Sequence, residues 1–244
     1  METSHLHWYY RQAIETLRYE GLQSVVWRMV VMCLSPFGFL RLVTFYQKDL
    51  TQPLKEIQAK VEITVGQANE SDVDQLATLV ARRYGPSKDL GPHKYKKLGI
   101  QGTILNRFRR GHRCFVGKIG SDIIHYNWIF FGWEELLGGV GRFIRLRNDE
   151  AFCDDAYTEE AWRGRAIHTV VQNQMLLFLQ KAGYRRAYTI VGIDKKSALK
   201  THHRLGWEPS GTMLCFTPRG AKKAWIWRIK GTLDPFVGES IPAI

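Results

Sequence analysis

Apolar residues recur at helical spacing near the start of the chain. Between Trp8 and Leu34 they gather on one face of a predicted helix, because side chains three to four positions apart lie on the same side. That face consists of Ile14, Leu17, Leu22, Val25, Val26, Met29, Val30 and Cys33. The turn residues Ser35–Gly38 end the helix. The pattern therefore predicts an amphipathic helix within the N-terminal 60 residues.

Two locations are open for this N-terminal helical segment, residues 1–60. A membrane-spanning helix needs about 20 uninterrupted apolar residues, and the run from Leu22 to Leu40 is interrupted by Arg28 and a proline, which disfavours spanning. Lying in the membrane interface suits its apolar face, its aromatic residues and its arginines. Packing on the body of the protein or on a second subunit is the alternative. Thr51–Lys60 is polar and is predicted to be a linker.

Strand and helix patterns follow one another in residues 61–232, which we predict to form one domain. Val61–Val65 alternates as a strand does, and Asn69 or Ser71 is placed to cap the next helix. A basic segment then leads to a short helix at Thr103–Gly111. A hairpin comes next, with strands at Cys114–Ile119 and Asp122–Phe131, and a loop with one strand at Trp133–Arg147.

The central part of the chain contains a strand, a tight turn, a helix and a second strand. The strand is Ala151–Tyr157, the basic turn is Arg163–Ala166, and the second strand is Arg186–Val191. The helix between them has apolar residues at three-to-four spacing from Ile167 and ends at Gly183. This order is typical of a βαβ unit. Its turn presents backbone N–H groups and the positive end of a helix, where a phosphate can bind.

Two more strands, Gly206–Phe216 and Lys222–Lys230, complete the pattern, and residues 233–244 are expected to be a tail. The order of elements predicts an α/β (α+β) fold. We expect a mixed, mostly antiparallel sheet with the central βαβ unit, flanked by helices.

The amino-acid composition says more about the kind of partner that this chain binds than about its fold. The net charge of +12 and the pI of about 9.6 favour an anionic partner: a membrane surface, a nucleic acid or a phosphorylated cofactor. An ordinary basic soluble protein is the alternative. The 45% apolar content argues against disorder along the whole chain. The four cysteines show no metal-ligand spacing and no secretory leader precedes them, so we expect no metal, reduced thiols and a cytoplasmic protein.

The turn at residues 161–166 resembles the fingerprint of the GNAT superfamily of acyl-CoA-dependent acyltransferases. That fingerprint is Gln or Arg, two residues, Gly, one residue, then Gly or Ala. Gly164 and Ala166 fit it, whereas Ala161 departs from it and His168 stands where a small residue is frequent. A second signature of the family follows the next strand. Its Asn is absent here, and its other positions are matched by Ser197 or Ala198, His202, Gly206 and Trp207. The resemblance covers about residues 61–230.

This resemblance implies a GNAT-like fold and an acyl-CoA co-substrate such as acetyl-CoA. The residues that it implies in acyl-CoA binding are Ala156, Tyr157, Thr158, Arg163, Gly164, Arg165, Ala166, Ile167 and His168. Backbone N–H groups and arginines would hold the pyrophosphate. The splayed end of the strand would pair with the amides of the pantetheine arm. A plain strand-to-helix turn with surface arginines is the alternative.

Acyl transfer to an amine needs a base for the amine and an acid for the departing thiolate. Glu150, at the distance before the turn where some family members have a glutamate base, and Asp155 are the candidate bases. On an alternating strand Asp154 and Asp155 face opposite sides unless a bulge intervenes, and a salt bridge to an arginine is the alternative role for each. His202 occupies the position of the tyrosine that serves as the acid in many family members. Capping or packing is the alternative role for His202, and Tyr157 is the second candidate for the acid.

The expected function is N-acyl transfer to a small-molecule or lipid-linked amine. His125, Asn127 and Glu134 are candidate contacts for that acceptor. The N-terminal segment would hold the enzyme at the inner membrane face as a peripheral protein, or in a homodimer. One alternative is an acyl-carrier-protein donor. Another is a non-catalytic basic protein that binds membranes or nucleic acid, although the charges and aromatic residues of Lys94–Arg113 are a weaker signal than the acyltransferase motif.

Overall fold

The computed structural model describes residue 17 and residues 21–55, 57–84, 98–135, 143–219, 225–231 and 236–237. Its helices are α1 (Leu22–Leu34), α2 (Val73–Tyr84), α3 (Gly99–Arg109), α4 (Ile167–Lys181) and α5 (Lys196–Arg204). Its strands are β1 (Gly38–Asp49), β2 (Thr64–Gln67), β3 (Arg113–Ile119), β4 (Asp122–Phe130), β5 (Trp133–Glu135), β6 (Phe143–Arg145), β7 (Glu150–Thr158), β8 (Arg186–Gly192), β9 (Glu208–Pro218), β10 (Trp225–Gly231) and β11 (Phe236–Val237). Short 3-10 turns lie at Glu70–Asp72 and Glu160–Trp162.

The chain divides into two compact units. The first comprises the described residues of Met1–Tyr46 and Ile190–Asp234, and the second those of Gln47–Gly139, Phe143–Thr189 and Pro235–Ile244. Strands β1 and β8 therefore contribute to both. Most of the predicted N-terminal helix before Gly21, much of the basic segment before Leu98, and most of the tail lie outside the described residues.

In the second unit the strand order is β8-β7-β4-β3-β2, antiparallel except for the pair β7–β8. Strand β4 lies between two layers of helices, and its alternate side chains point to one layer or the other. Tyr126 and Trp128 lie on the face that contacts α2 and α3, through Arg83 and Phe108. His125 lies on the other face, where the ring of His168 in α4 stands 5.4 Å away. The core of this unit is large and aromatic, because Trp128, Tyr126, Phe130 and Phe152 are fully buried.

Local signals in the sequence account for the ends of these elements. The Asn69 side chain accepts a hydrogen bond from Ser71 N, and Asn69 N donates to Asp72 Oδ2. These bonds form a capping box on the 3-10 turn Glu70–Asp72, which leads directly into α2, and they confirm Asn69 as the cap. Gly183 has a positive φ of 85° and follows the last residues of α4. Tyr184 N then donates to Leu179 O, so α4 ends in a Schellman-type turn.

In the first unit the strand order is β10-β9-β1-β8. Val43 and Phe45 of β1 and Met213 and Cys215 of β9 are buried and form its core. Three of the four cysteines are buried, and Cys33 is exposed. Within the described part of the chain, no helix has the length and apolar character that crossing a membrane requires.

The structure differs from the sequence prediction at three places. Gly38–Asp49 is a strand and not part of a helical segment, because its run of branched and aromatic residues finds a partner in β9, far along the chain. The predicted loop with one strand contains two short strands, β5 and β6. Phe236–Val237, expected in the tail, pairs with β6 as a third strand.

Candidate functional site

Strand β7 is paired with β8 only over its first three residues. The parallel register joins Glu150 to Arg186, Ala151 to Ala187 and Phe152 to Tyr188, and no later pair joins the two strands among the residues described. β7 itself continues to Thr158, paired with β4 on its other side. The edge of its second half is therefore open, and an open edge can pair with the amides of an extended ligand.

A bulge lies in this open half of β7. The register steps from Tyr126–Tyr157 to Trp128–Asp154, which leaves Asp155 and Ala156 opposite Asn127 alone. Asp155 adopts a φ of 58°, a conformation that side chains other than glycine rarely take. The bulge therefore breaks the alternation that was expected to place the two aspartates on opposite faces.

The carboxylate of Asp155 is held by two arginines. Arg83 Nη1 donates to its Oδ1 at 2.6 Å, and Arg107 Nη1 donates to its Oδ2 at 2.7 Å. The Asp155 side chain is 1% exposed and that of Arg107 is 5% exposed. Arg107 also lies 4.9 Å from the centre of the Trp128 ring. This geometry supports the ion-pair alternative for Asp155 and not its role as a base. The sequence prediction missed both arginines, since each looks like an ordinary charge on a basic helix.

The turn between β7 and α4 is open and has left-handed backbone at two positions. Gly164 has a φ of 79° and Ala166 a φ of 63°, and Gly164 and Arg165 are exposed. Ala166 is the N-cap residue of α4, and no side chain caps this helix. The N–H groups of its first turn have no partner inside the helix, and they mark its positive end. This arrangement fits an anion such as a pyrophosphate.

The arginines of the turn face the end of the strand. Arg163 Nε donates to Thr158 O at 3.2 Å, and its guanidinium lies 5.5 Å from the centre of the Tyr157 ring. Arg165 lies 4.7 Å from the centre of the Trp162 ring. Arg163 therefore ties the turn to the open strand end, while Arg165 remains at the surface.

Tyr157 and His125 line the same strand end on opposite faces of the sheet. Burial raises the pKa of the half-buried Tyr157 phenol, so this group keeps its proton at neutral pH. His125 Nδ1 lies 2.7 Å from Thr158 Oγ1, and burial holds the His125 pKa well below its usual value. The buried His125 Nε2 and Asn127 Oδ1 have no hydrogen-bond partner among the described residues. Such atoms mark sites that ordered water or a ligand can satisfy.

Glu150 lies at the other, paired end of β7. Tyr188 Oη donates to Glu150 Oε1 at 3.0 Å, and Arg147 N donates to Oε2 at 3.0 Å. The Glu150 side chain is 5% exposed. An extended strand separates it from Thr158 by about 26 Å. These contacts support a structural role for Glu150 and not that of a base near the turn.

His202 belongs to the first unit and is buried there. Its Nδ1 donates to Ala198 O at 2.7 Å, and its ring lies 5.5 Å from that of Tyr46 and 5.4 Å from that of Trp207. Burial lowers the pKa of His202 to about 4, so the ring is neutral at pH 7. These contacts support the packing alternative and not a proton donor.

The remaining predicted residues divide between the strand end and elsewhere. Ala156, Ile167 and His168 lie at or beside the turn, although the Ile167 side chain is buried and only its backbone can face a ligand. The side chain of Glu134 lies outside the described residues. A cleft of about 330 Å³ opens next to the turn, lined in part by Arg82, Glu159 and Trp162.

Comparison with known proteins supports the fold. No protein-family model and no curated protein matches the sequence. Among solved structures, the chain is similar to a GCN5-related N-acetyltransferase from Sphaerobacter thermophilus, with a TM-score of 0.51, 12% identity, and coverage of 78% of this chain and 56% of that one. It is similar to an acetyltransferase of the GNAT family from Colwellia psychrerythraea, with a TM-score of 0.51, 12% identity, and coverage of 78% and 60%. These similarities show that the chain has the GNAT fold.

Proposed function

We propose that this chain, whose fold is that of GNAT acetyltransferases, transfers an acyl group from acyl-CoA to an amine. The observation that carries the proposal is the parting of β7 from β8 after Phe152, on the strand that leads into an uncapped, glycine-containing helix start. An extended ligand with a pyrophosphate at one end and amides along its arm fits both features. Acyl-CoA has these groups, and the arrangement supports it as co-substrate.

Each part of acyl-CoA has a matching group in this proposal. The N–H groups of the Gly164–Ala166 turn and the positive end of α4 bind the pyrophosphate, and Arg165 adds charge at the surface. The open edge of Cys153–Tyr157 receives the amides of the pantetheine arm, next to Thr158, whose carbonyl accepts from Arg163 Nε. Gly164 is required because its left-handed backbone and missing side chain let the phosphate approach.

The chemical step uses Tyr157 as the acid. The neutral amine attacks the thioester carbonyl, the new C–N bond forms and the C–S bond breaks. The departing thiolate takes the phenol proton of Tyr157, and the resulting phenolate recovers a proton that the amine has released through water. Asp155 and Glu150 take no proton in this scheme, because both carboxylates are held by other groups.

Paired glycine variants test the binding proposal. Gly164 and Gly183 flank α4 at opposite ends with positive φ values of 79° and 85°. Gly164→Val and Gly183→Val should each lose about 1–2 kcal/mol of unfolding free energy, since valine is strained in this conformation. Only Gly164→Val should also weaken CoA and acetyl-CoA binding, by roughly tenfold or more, measured by isothermal titration calorimetry. Equal CoA affinity in both variants would contradict the binding site.

A second assay tests turnover. Release of free thiol from acetyl-CoA and from longer acyl-CoAs is followed with a panel of amines. Thiol release that depends on the amine supports acyl transfer. If CoA binds but no thiol is released with any donor, the chain is a non-catalytic binder with this fold. If millimolar CoA neither binds nor stabilises the protein, the acyl-CoA proposal is wrong, and a loaded carrier protein becomes the donor to assay.

A further inference from the structure

Helix α1 exposes a stripe of apolar side chains and buries a polar one. Leu22, Val26, Met29 and Val30 are 43–68% exposed, and they lie within one face of the helix by their three-to-four spacing. Ser24, a polar residue, is 1% exposed. A surface helix of a water-soluble protein shows the opposite arrangement, with its apolar stripe facing the core. The outward face of α1 therefore requires a partner.

Specific polar contacts hold the helix in this orientation. Ser24 Oγ donates to Asp194 O at 2.6 Å, and Arg28 Nε lies 3.5 Å from Asp194 Oδ2. Both partners belong to the first unit. Because these contacts tie the polar side to the turn after β8, exposure of the apolar side is built into the packing of α1.

The exposed apolar surface continues from the end of α1 to the edge strand β10. Phe37, 71% exposed, follows the helix, and its carbonyl accepts a hydrogen bond from Arg219 N. Trp225 lies 6.0 Å from the ring of Phe216, and Trp227 lies 6.2 Å from Trp225. We call the exposed side chains of α1, Phe37, Trp225 and Trp227 the apolar face. Among the described residues that expose a large apolar side chain, Leu98 alone lies outside the first unit.

The charges around the apolar face are positive. Neither α1 nor β10 contains an acidic residue, whereas the exposed Lys230 lies on the same side of β10 as Trp225 and Trp227, because Lys230, Trp227 and Trp225 pair with Thr212, Leu214 and Phe216. Apolar residues, tryptophans and a basic margin together match the boundary of an anionic bilayer, where acyl chains meet negative headgroups.

We propose that the apolar face docks on an anionic membrane surface, with Met29, Phe37 and Trp225 in the acyl boundary and the basic side chains at the headgroups. Charge favours this occupant over a second copy of the chain. A dimer through the same face would bury Lys230 of both copies in an interface to which α1 and β10 contribute no acidic residue, while anionic headgroups neutralise this charge. The proposal does not depend on acyl transfer.

Vesicle sedimentation tests the docking. The full chain is mixed with vesicles of phosphatidylcholine alone and of phosphatidylcholine with phosphatidylglycerol, and should sediment with the anionic vesicles. Met29→Glu and Phe37→Glu, alone and combined, should lower the partition coefficient by roughly tenfold or more, because a carboxylate must leave water at the boundary and is repelled by the headgroups. Leu98→Glu, an exposed apolar residue of the second unit, is the matched control and should bind as the parent does.

Two outcomes would overturn the proposal. Either the parent fails to sediment with anionic vesicles, or the glutamate variants sediment as it does. Thermal melts check that the variants are folded, which is expected because both positions are exposed. Sedimentation velocity distinguishes the rival occupant: a parent dimer that Met29→Glu dissociates, without vesicle binding, assigns the face to a second copy.

Discussion

The two ends of β7 hold carboxylates in different surroundings. At the paired end, Glu150 is fixed by a tyrosine hydroxyl and a backbone N–H beside the β7–β8 ladder. In the open half, Asp155 lies at a bulge between two arginines, with Tyr157 two residues further on. Both carboxylates are satisfied by the fold. The two ends differ in their backbone hydrogen bonding. Among the described residues of β7, the open half alone has an edge without a strand partner, and it leads to the start of a helix. The strand end and the turn are therefore the better site for a ligand.

The largest expected effect of a substitution is at the bulge. Asp155→Ala leaves the buried Arg107 guanidinium without its carboxylate, and should lower the unfolding free energy by about 3–5 kcal/mol, measured by urea denaturation. Asp154→Ala, at the half-buried neighbour, is the control and should cost about 1 kcal/mol. A stable Asp155→Ala protein that has lost thiol release would instead make Asp155 the base and reverse our assignment.

The next largest effect is expected on kcat, and it should differ between the two ends of β7. Tyr157→Phe removes the proposed acid and should lower kcat roughly 100-fold with little change in KM, since the phenol acts on the leaving thiolate. Tyr188→Phe makes the same change at the paired end, where the hydroxyl donates to Glu150, and should leave kcat unchanged. Amine-dependent thiol release gives both constants. Equal kcat values for the two variants would remove Tyr157 from the chemical step.

The smallest effect should come from Glu150. In Glu150→Gln the side-chain amide oxygen still accepts one of the two hydrogen bonds, so the unfolding free energy should fall by about 1 kcal/mol and kcat should not change. Thermal denaturation and the thiol assay measure the two quantities. A 100-fold loss of kcat in a folded protein would restore Glu150 as the base and show that the two ends of β7 act together.

Local patterns in the sequence were enough for most of the helices and strands. The hairpin turn at Gly120–Ser121, the cap before α2 and the glycine end of α4 each depend on a few neighbouring residues, and each is found in the structure. For the cap, Asn69 was one of two candidates. The strand β1 was missed because its partner β9 lies more than 150 residues away in the chain. Apolar residues at Phe39–Tyr46 suit a strand or a buried helix equally until such a partner is present.

The candidate site shows the same division. The turn at Gly164 and Ala166 lies where the sequence predicted a turn, because a tight turn before a helix restricts which residues fit. The contacts of Asp155, Glu150 and His202 could not be predicted from the sequence, since the behaviour of a carboxylate or imidazole depends on its burial and its neighbours. Arg83 and Arg107 come from two different helices, and no spacing in the sequence links them to Asp155.

The sequence by itself determined the order of most elements, the basic character and the turn that suits a pyrophosphate, because propensity, charge and glycine geometry are properties of short segments. Only the tertiary structure decided which polar groups are engaged, where β7 parts from β8, and that α1 turns its apolar side outward. These features depend on contacts between residues that are far apart in the sequence. Such contacts form only after the chain has closed the intervening loops.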